Sequence, residues 1–77
     1  MKIKLHKNAQ KTFKKIPKDH ARKILNAIYR LPSGDIIPLE GRYPELRLRA
    51  GDWRIIFIYL GDTAYVKEIG NRGDIYK

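Results

Sequence analysis

Residues 45–57 read ELRLRAGDWRIIF, and this stretch decides the fold of the chain. Apolar side chains recur at every second position on both sides of Gly51-Asp52, a dipeptide suited to a tight turn between two strands. A two-residue turn there pairs apolar residues with one another, namely Ala50 with Trp53, Leu48 with Ile55 and Leu46 with Phe57. A slip of one residue would move these side chains to opposite faces, so the pattern predicts a β-hairpin in this register.

The other face of the predicted hairpin carries arginines. The register places Arg49 opposite Arg54, with Arg47 two positions along, although like charges directly opposed destabilise a strand pair. Guanidinium groups match phosphate oxygens in geometry and charge, so the cluster favours a phosphate-binding site. A second interpretation stays open, in which Glu45, Asp52 or acidic residues near the end of the chain compensate these charges in a surface ion-pair network.

The N-terminal half predicts a strand followed by a helical hairpin. Residues 2–6 alternate polar and apolar side chains, which is typical of a strand buried on one face. From Asn8, a candidate helix cap, the spacing becomes helical until Pro17, since proline disfavours helix at the residue before it. A second amphipathic helix follows, with apolar residues at three- and four-residue spacing. These residues are Ala21, Ile24, Leu25, Ile28 and Leu31.

The rest of the chain predicts further strands. A turn cluster at 32–35 ends the second helix, and we interpret residues 36–44 as a connection. A third strand over about 64–69 follows the hairpin, but its pattern does not fix which side faces the core. The sequence thus predicts one domain over residues 1–77 with an α+β fold, in which an N-terminal strand and an α-helical hairpin precede an antiparallel sheet of three to four strands.

The net charge of +9 is concentrated in the first 31 residues, which contain ten Lys or Arg and one Asp. The remaining residues contain seven basic and seven acidic side chains and are neutral overall. A field of one sign on one element attracts polyanions in a salt-dependent way. The predicted helical hairpin is therefore a candidate surface for nucleic acid or an acidic protein, with a solvated lysine face as the alternative.

Composition and spacing disfavour several classes of protein. The chain has no cysteine, which removes disulfides and thiolate metal sites and is typical of a reducing compartment. The longest apolar run, residues 55–60, is too short to span a bilayer, and no leader follows the charged start. The acidic residues are scattered and the glycines isolated, so we expect no metal and no cofactor. The short apolar run and the absence of cysteine lead us to expect no membrane association and a cytoplasmic location.

The chain resembles RelE-family toxins of the RelE/ParE superfamily, which belong to type II toxin–antitoxin pairs. The resemblance covers essentially the whole chain and rests on the order of the elements and on two motifs. One motif is the hairpin reading YPELRLRAGDWRIIF at 43–57, a basic strand that leads into an aromatic–Arg–aliphatic strand. The other is the ending IGNRGDIYK at 69–77, with its Arg-x-Asp-aliphatic-Tyr.

The resemblance implies a ribosome-dependent endoribonuclease that cuts mRNA in the A site and leaves a 2′,3′-cyclic phosphate. Such chemistry needs a base for the attacking 2′-hydroxyl, stabilisation of charge on the phosphorane and help for the departing 5′-oxygen. Arg54 resembles the arginine that stabilises the phosphate, and Arg72 resembles the arginine before the terminal tyrosine. Tyr76 resembles that tyrosine, to which base or stacking roles are given. Arg47 matches a basic position on the preceding strand, with Arg49 as a further backbone contact.

The sequence departs from the best-known members at Glu45, where they carry a basic residue. Glu45 is therefore a possible base, or else a surface residue that pairs with Arg47. We expect no histidine in the site, because His6 and His20 belong to the N-terminal half. The resemblance implies that basic residues of the helices bind ribosomal RNA through its phosphates. These residues are Lys11, Lys14, Lys15, Lys18 and Arg22.

The implied partners are a cognate antitoxin, the ribosome and mRNA. An acidic extended or helical segment of the antitoxin would lie across the basic surface, and the pair could form a toxin–antitoxin hetero-oligomer. Two other functions stay open. One is inhibition of gyrase by a ParE-like protein without chemistry of its own. The other is an RNA-binding module of the same fold with no catalytic activity.

Overall fold

In the computed structural model, which describes residues 1–71, two helices cover one face of a five-stranded sheet. The elements in chain order are β1 (Lys2–Leu5), α1 (Lys7–Lys15), α2 (Lys18–Tyr29), β2 (Asp35–Pro38), β3 (Leu46–Ala50), β4 (Trp53–Leu60) and β5 (Thr63–Asn71). Arg72 and Tyr76, two of the candidate site residues, lie outside the described residues.

The strands lie in the order β1-β5-β4-β3-β2, so the two edges are formed by β1 and β2. Strand β1 runs parallel to β5, and the other neighbouring strands are antiparallel. The helical hairpin carries the chain from one edge of the sheet to the other. The predicted α+β class is confirmed, but the sheet is mixed and wider than predicted, because β1 and β2 extend it on both sides.

Strand β2 falls partly in the stretch that the sequence assigned to a connection. It pairs with β3, with Ile36 opposite Leu48 and Asp35 opposite Arg49. It is only four residues long and ends in Pro38, which lacks the N–H that a strand between two others needs. A strand this short shows no clear alternation of its own, so only its pairing with β3 defines it.

The first helix begins differently from the prediction. His6, rather than Asn8, is the N-cap of α1, and its ring Nδ1 accepts a hydrogen bond of 3.1 Å from the backbone N–H of Asn8. The interruption by Pro17 is confirmed. Ile16 has the extended backbone that a residue before proline favours, and α2 begins directly after Pro17.

The predicted register of the β3–β4 hairpin is confirmed at every pair. Gly51 has a φ of +62° at the first turn position. A two-residue turn of the type that matches the twist of a hairpin needs such a positive φ there, and glycine adopts it without steric cost. Leu48 and Ile55 consequently face the helices, while Arg49 and Arg54 lie opposite each other on the other face.

The core lies between the helices and this apolar face of the sheet. Helix α1 packs against β5 and β1, and α2 packs against β3. The buried apolar side chains of this layer are Ala9, Ile16, Ile24, Ile28, Leu31, Leu48, Ala50, Ile55, Phe57, Ala64, Val66 and Ile69. The core fills one side of the sheet. The opposite side, which we call the helix-free face, carries the arginines of the hairpin and also the buried side chain of Ile56.

A β-bulge in β5 explains why its pattern did not fix its facing. Ile56 pairs with Glu68 but the next residue, Phe57, pairs with Val66, so Lys67 is an extra residue in the strand. The bulge allows Val66 and Ile69, three positions apart, to face the same core.

An ion-pair network fastens the segment before β3 to the bulge. Glu45 Oε2 accepts a hydrogen bond of 2.8 Å from Lys67 Nζ. Arg42 Nη2 lies 2.5 Å from Glu45 Oε1, which makes no regular hydrogen bond within residues 1–71 but is compensated by this charge. Arg42 Nη2 also donates to Glu68 Oε2 at 2.8 Å. The hydrogen bond from Lys67 and the nearby positive charges outweigh partial burial and lower the pKa of Glu45 below its ordinary value of 4.5.

Replacing Ile55 by valine tests whether this position of β4 belongs to the buried core. Ile55→Val removes one methyl group from a fully buried position and should lower the free energy of unfolding by about 1 kcal/mol. Ile37→Val, the same change at an exposed position of edge strand β2, should cost less than about 0.5 kcal/mol. Urea unfolding of the two variants measures both values, and equal losses would contradict the assignment of the core.

Replacing Glu45 by glutamine tests the ion-pair network through its pH dependence. Because the folded pKa of Glu45 is lowered, its carboxylate stabilises the fold above about pH 4.5, and this contribution disappears as the pH falls through the folded pKa. Glu45→Gln should therefore destabilise the protein at about pH 7 and much less at about pH 3. Glu40→Gln is the control, since Glu40 has no ion pair within residues 1–71. A loss for Glu45→Gln that is independent of pH would contradict this account.

Candidate functional site

The helix-free face carries three arginines on adjacent strands, which we call the arginine face: Arg47 and Arg49 on β3 and Arg54 on β4. Arg54 is 6% exposed, and a buried guanidinium is costly unless its N–H groups find acceptors. Its Nη1 donates to the backbone carbonyl oxygens of Gly51 at 3.0 Å and Trp53 at 3.2 Å. The turn of the hairpin therefore holds the Arg54 side chain in place.

Two guanidinium groups meet at the Gly51 carbonyl. Arg49 Nε lies 3.4 Å from the oxygen that accepts from Arg54 Nη1, so the opposed pair converges on one acceptor. Within residues 1–71 neither Arg49 nor Arg54 forms an ion pair with a carboxylate. Two positive charges fixed this close together would be stabilised by an anion with several oxygens, such as a phosphate.

Arg47 is compensated, but by a residue that the sequence did not suggest. Its Nη2 donates to Oδ1 of Asp35 at 2.8 Å, across the β2–β3 pair. The side chain is 11% exposed, and its Nε is buried without a hydrogen-bond partner among residues 1–71. The expected pairing of Glu45 with Arg47 is wrong, because the carboxylate of Glu45 is held by Arg42 and Lys67 instead.

Glu45 lies in a cleft of about 270 Å³ together with a histidine. The cleft is lined by His6, Asn8, Arg42, Glu45, Lys67 and Glu68. The expectation that no histidine lies beside the candidate base is therefore wrong for His6, which the parallel pairing of β1 with β5 brings to this cleft. Its Nδ1 is already used in capping α1. Glu45 itself is a weaker base than an ordinary carboxylate, since its pKa is lowered.

The basic residues of the helices form a separate surface. Lys11, Lys14, Lys15, Lys18 and Arg22 are all exposed. None of the five has an ion pair in the part of the chain that the structure describes. Because the helices cover one side of the sheet and the arginine face lies on the other, the fold does not bring the two basic regions together.

Three contacts of the site were missed by reasoning from sequence. The first is the ion pair between Asp35 and Arg47. The sequence placed Asp35 in a turn cluster, and the alternating pattern of residues 46–49 did not indicate which carboxylate pairs with Arg47. Lys67 could have been noticed, since it interrupts the two-residue period between Val66 and Ile69. The third is a hydrogen bond of 2.8 Å from Trp53 Nε1 to His20 Nδ1, which joins the hairpin to α2.

Residues 1–71 present neither a metal-binding cluster nor a membrane-spanning helix. No three side chains of His, Cys, Asp or Glu converge there in a way that could hold a metal ion. None of the helices in that range has the length and apolar character needed to cross a bilayer.

Known proteins are similar to this chain at the level of structure. No protein-family model and no curated protein sequence matches it. A chain of the archaeal RelE–RelB complex from Pyrococcus horikoshii OT3 matches with 27% identity and a TM-score of 0.71, covering 95% of this chain and 96% of that one. The RelB–RelE antitoxin–toxin complex from Methanococcus jannaschii matches with 24% identity and a TM-score of 0.79, covering 95% and 94%.

A third match shows that the likeness extends beyond archaeal proteins. The toxin–antitoxin complex RelBE2 from Mycobacterium tuberculosis is 16% identical with a TM-score of 0.77, covering 92% of this chain and 96% of that chain. At such low identity the likeness shows the fold alone, but all three matches span nearly the whole of both chains. By its fold, this protein belongs to the superfamily of RelE-like toxins.

Proposed function

We propose that this protein is the toxin of a toxin–antitoxin pair and that it cuts mRNA on the ribosome, in the cytoplasm. The observation that carries the proposal is the convergence of Arg49 and Arg54 on one carbonyl oxygen of the hairpin turn, with Arg47 on the same face. A site built for an anion explains why charges that repel each other are placed together. The structural likeness to RelE chains from RelE–RelB complexes supports the same function.

The proposed reaction is transfer within the RNA, without a metal or cofactor. The 2′-oxygen attacks the adjacent phosphorus, the bond from phosphorus to the 5′-oxygen breaks, and a 2′,3′-cyclic phosphate and a free 5′-hydroxyl result. The proton of the 2′-hydroxyl passes to a base, and the 5′-oxygen gains a proton as it leaves. Arg54 contributes by stabilising negative charge on the phosphorane, since an arginine keeps its proton at ordinary pH.

Arg47 and Arg49 extend this phosphate site along β3. Asp35 holds the Nη2 end of Arg47, while the Nε of Arg47 is buried without a hydrogen-bond partner among residues 1–71. Arg49 is exposed and can follow the backbone of the RNA. Arg72 adds a further positive charge in the proposal, on the evidence of the terminal motif alone.

The base is assigned to Tyr76 rather than to Glu45. Both oxygens of the Glu45 carboxylate face cations, at 2.5 Å from Arg42 and 2.8 Å from Lys67. These contacts lower its pKa and stabilise its charged form, which makes it a poor proton acceptor. Tyr76 is assigned through the resemblance of the ending, either as the base or as a platform on which a nucleobase stacks.

The helical surface binds ribosomal RNA in this proposal. Phosphate contacts from exposed lysines need no particular base sequence and act through counterion release. The same surface would bind an acidic segment of a cognate antitoxin in a hetero-oligomer, because the similar structures from Pyrococcus horikoshii and Methanococcus jannaschii are complexes of RelE with RelB.

Replacing Arg54 by alanine tests the phosphate site. Arg54→Ala should lower the rate of ribosome-dependent mRNA cleavage by about 100- to 1000-fold, because it removes a fixed positive charge from the transition state. Primer extension on a defined mRNA in a purified translation system measures the cuts in the A-site codon. Lys2→Ala, on the far edge strand β1, is the matched control and should cut like the wild type.

Retained binding to the antitoxin and an unchanged thermal unfolding curve would show that Arg54→Ala is folded. Cleavage by Arg54→Ala at the wild-type rate would overturn the assignment of Arg54. An absence of cuts with folded wild-type protein would overturn the nuclease proposal, and DNA breaks in its place would point to gyrase.

Replacing lysines of α1 tests the RNA-binding surface. The triple change of Lys11, Lys14 and Lys15 to glutamine should weaken RNA binding at low salt and reduce the slope of log affinity against log salt by about 2, if each lysine neutralises one phosphate. Filter binding over a series of salt concentrations measures this slope. Lys2→Gln with Lys4→Gln on β1 is the control for loss of charge elsewhere, and an equal change in slope for both variants would contradict a specific role for α1.

A further inference from the structure

A cleft of about 330 Å³ lies between α2 and the turn of the β3–β4 hairpin. Its lining includes His20 and Lys23 from α2 and Gly51, Asp52 and Trp53 from the hairpin. The proposed cleavage chemistry uses none of their side chains. A cleft of this volume with an aromatic ring and a few polar groups is typical of a site for a small ligand, and it is large enough for a nucleobase.

Two aromatic rings meet in this cleft nearly at right angles. Trp53 Nε1 donates a hydrogen bond of 2.8 Å to His20 Nδ1. The ring centroids lie 5.8 Å apart, and the ring planes are inclined at 82°. The hydrogen bond uses the edge of each ring and leaves the ring faces free of it. A flat molecule that stacks on one ring therefore meets the other ring at its side, which suits a nucleobase because every base has a π-face.

The cleft also offers one cation and one anion to its ligand. Lys23 and Asp52 are both exposed, and neither forms an ion pair within residues 1–71. An ammonium group only donates hydrogen bonds, and a carboxylate only accepts them. The edge of a nucleobase carries N–H donors beside oxygen or nitrogen acceptors, so it can satisfy both groups. An aliphatic side chain of a protein partner would satisfy neither, and this favours a base as the occupant.

The backbone of Gly51 separates the cleft from the proposed phosphate site. Gly51 lines the cleft, and its carbonyl oxygen accepts from Arg54 Nη1 at 3.0 Å and lies 3.4 Å from Arg49 Nε. The cleft and the two guanidinium groups thus adjoin the same turn residue. Since only a ribose lies between the base and the phosphate of a nucleotide, one nucleotide can place its phosphate beside the arginines and its base in the cleft.

We propose that this cleft is a nucleobase subsite, in which an unpaired base of the RNA stacks against Trp53 and His20 while its edge contacts Lys23 and Asp52. The inference rests on the proposed function, because the base belongs to the nucleotide whose phosphate lies on the arginine face. The four side chains bind the substrate and take no part in breaking its bond. Because stacking depends little on the identity of the base, the subsite contributes affinity for RNA in general.

Binding to the subsite can be measured without the ribosome. Trp53 is the only tryptophan of the chain, so quenching of its fluorescence reports a ligand in the cleft. Adenosine 3′-monophosphate should quench the emission, whereas ribose 5-phosphate and inorganic phosphate should not. In calorimetry, adenosine 3′-monophosphate should bind about tenfold more tightly than ribose 5-phosphate, because of base stacking. Equal affinities for the two, or no quenching by the nucleotide, would overturn the subsite.

Variants of α2 test which side chains form the subsite. His20→Ala removes one ring but keeps Trp53 as the reporter, and it should weaken binding of adenosine 3′-monophosphate about fivefold without affecting inorganic phosphate. Lys23→Gln, at an exposed position, should weaken it about threefold through the loss of one charged hydrogen bond. Tyr29→Ala is the matched control, since it removes an exposed ring from the other end of α2. Unchanged affinity in both His20→Ala and Lys23→Gln, or an equal loss in Tyr29→Ala, would overturn the assignment.

Cleavage of mRNA separates the fate of the subsite from that of the proposed function. His20→Ala should raise KM about fivefold and change kcat little, because a stacked base is bound equally before and during bond breaking. Cleavage that depends on Arg54, with the same KM in His20→Ala and the wild type, would overturn the subsite and leave the nuclease proposal intact. Quenching by adenosine 3′-monophosphate in a wild-type protein that never cuts mRNA would support the subsite and overturn the nuclease proposal.

Discussion

Burial of the apolar side of the β3–β4 hairpin beneath the two helices fixes the direction of every other side chain in these strands. Because side chains alternate along a strand, covering Leu48 and Ile55 requires Arg49 and Arg54 to project together from the other side. The hydrophobic free energy of the core thus outweighs the repulsion between these two cations. Water screens the exposed Arg49, and carbonyl oxygens of the turn stabilise the buried Arg54, so the repulsion is small. The arginine face is a consequence of the core as much as a feature of the site.

The charged side chains around the hairpin differ in whether they have an ion-pair partner. The carboxylate of Asp35 lies 2.8 Å from the guanidinium of Arg47. The carboxylate of Glu45 forms ion pairs with both Arg42 and Lys67. The guanidinium of Arg54 instead depends on backbone carbonyls of the turn. Compensated charges stabilise the fold and hold segments together, while charges held only by neutral dipoles remain attractive to an anion. This contrast explains why the network around Glu45 is better suited to anchoring the segment before β3 than to proton transfer.

The topology of the sheet connects the N-terminal half to the site. Parallel pairing of β1 with β5 brings His6 to the cleft of Glu45, and the position of α2 over β3 brings His20 to Trp53. The exposed lysines of the helices, by contrast, stay on the side of the sheet away from Arg54. The two basic regions therefore suit two different ligands. The exposed lysines of the helices suit a broad polyanion, and the hairpin turn beside Arg49 and Arg54 suits a single phosphate.

The sequence by itself determined the α+β class, the break at Pro17, the hairpin register and the placing of Arg47, Arg49 and Arg54 on one face, because each follows from local periodicity or from the geometry of proline. Tertiary structure alone decided which partner each charge finds. Strand β2 is too short to show a period, so Asp35 could not be matched to Arg47, and the bulge that turns Lys67 toward Glu45 is a mismatch between two strands that neither strand reveals alone. Ion pairs and hydrogen bonds between elements depend on distances of about 3 Å across the fold, and such distances exist only after the core has set the elements beside one another.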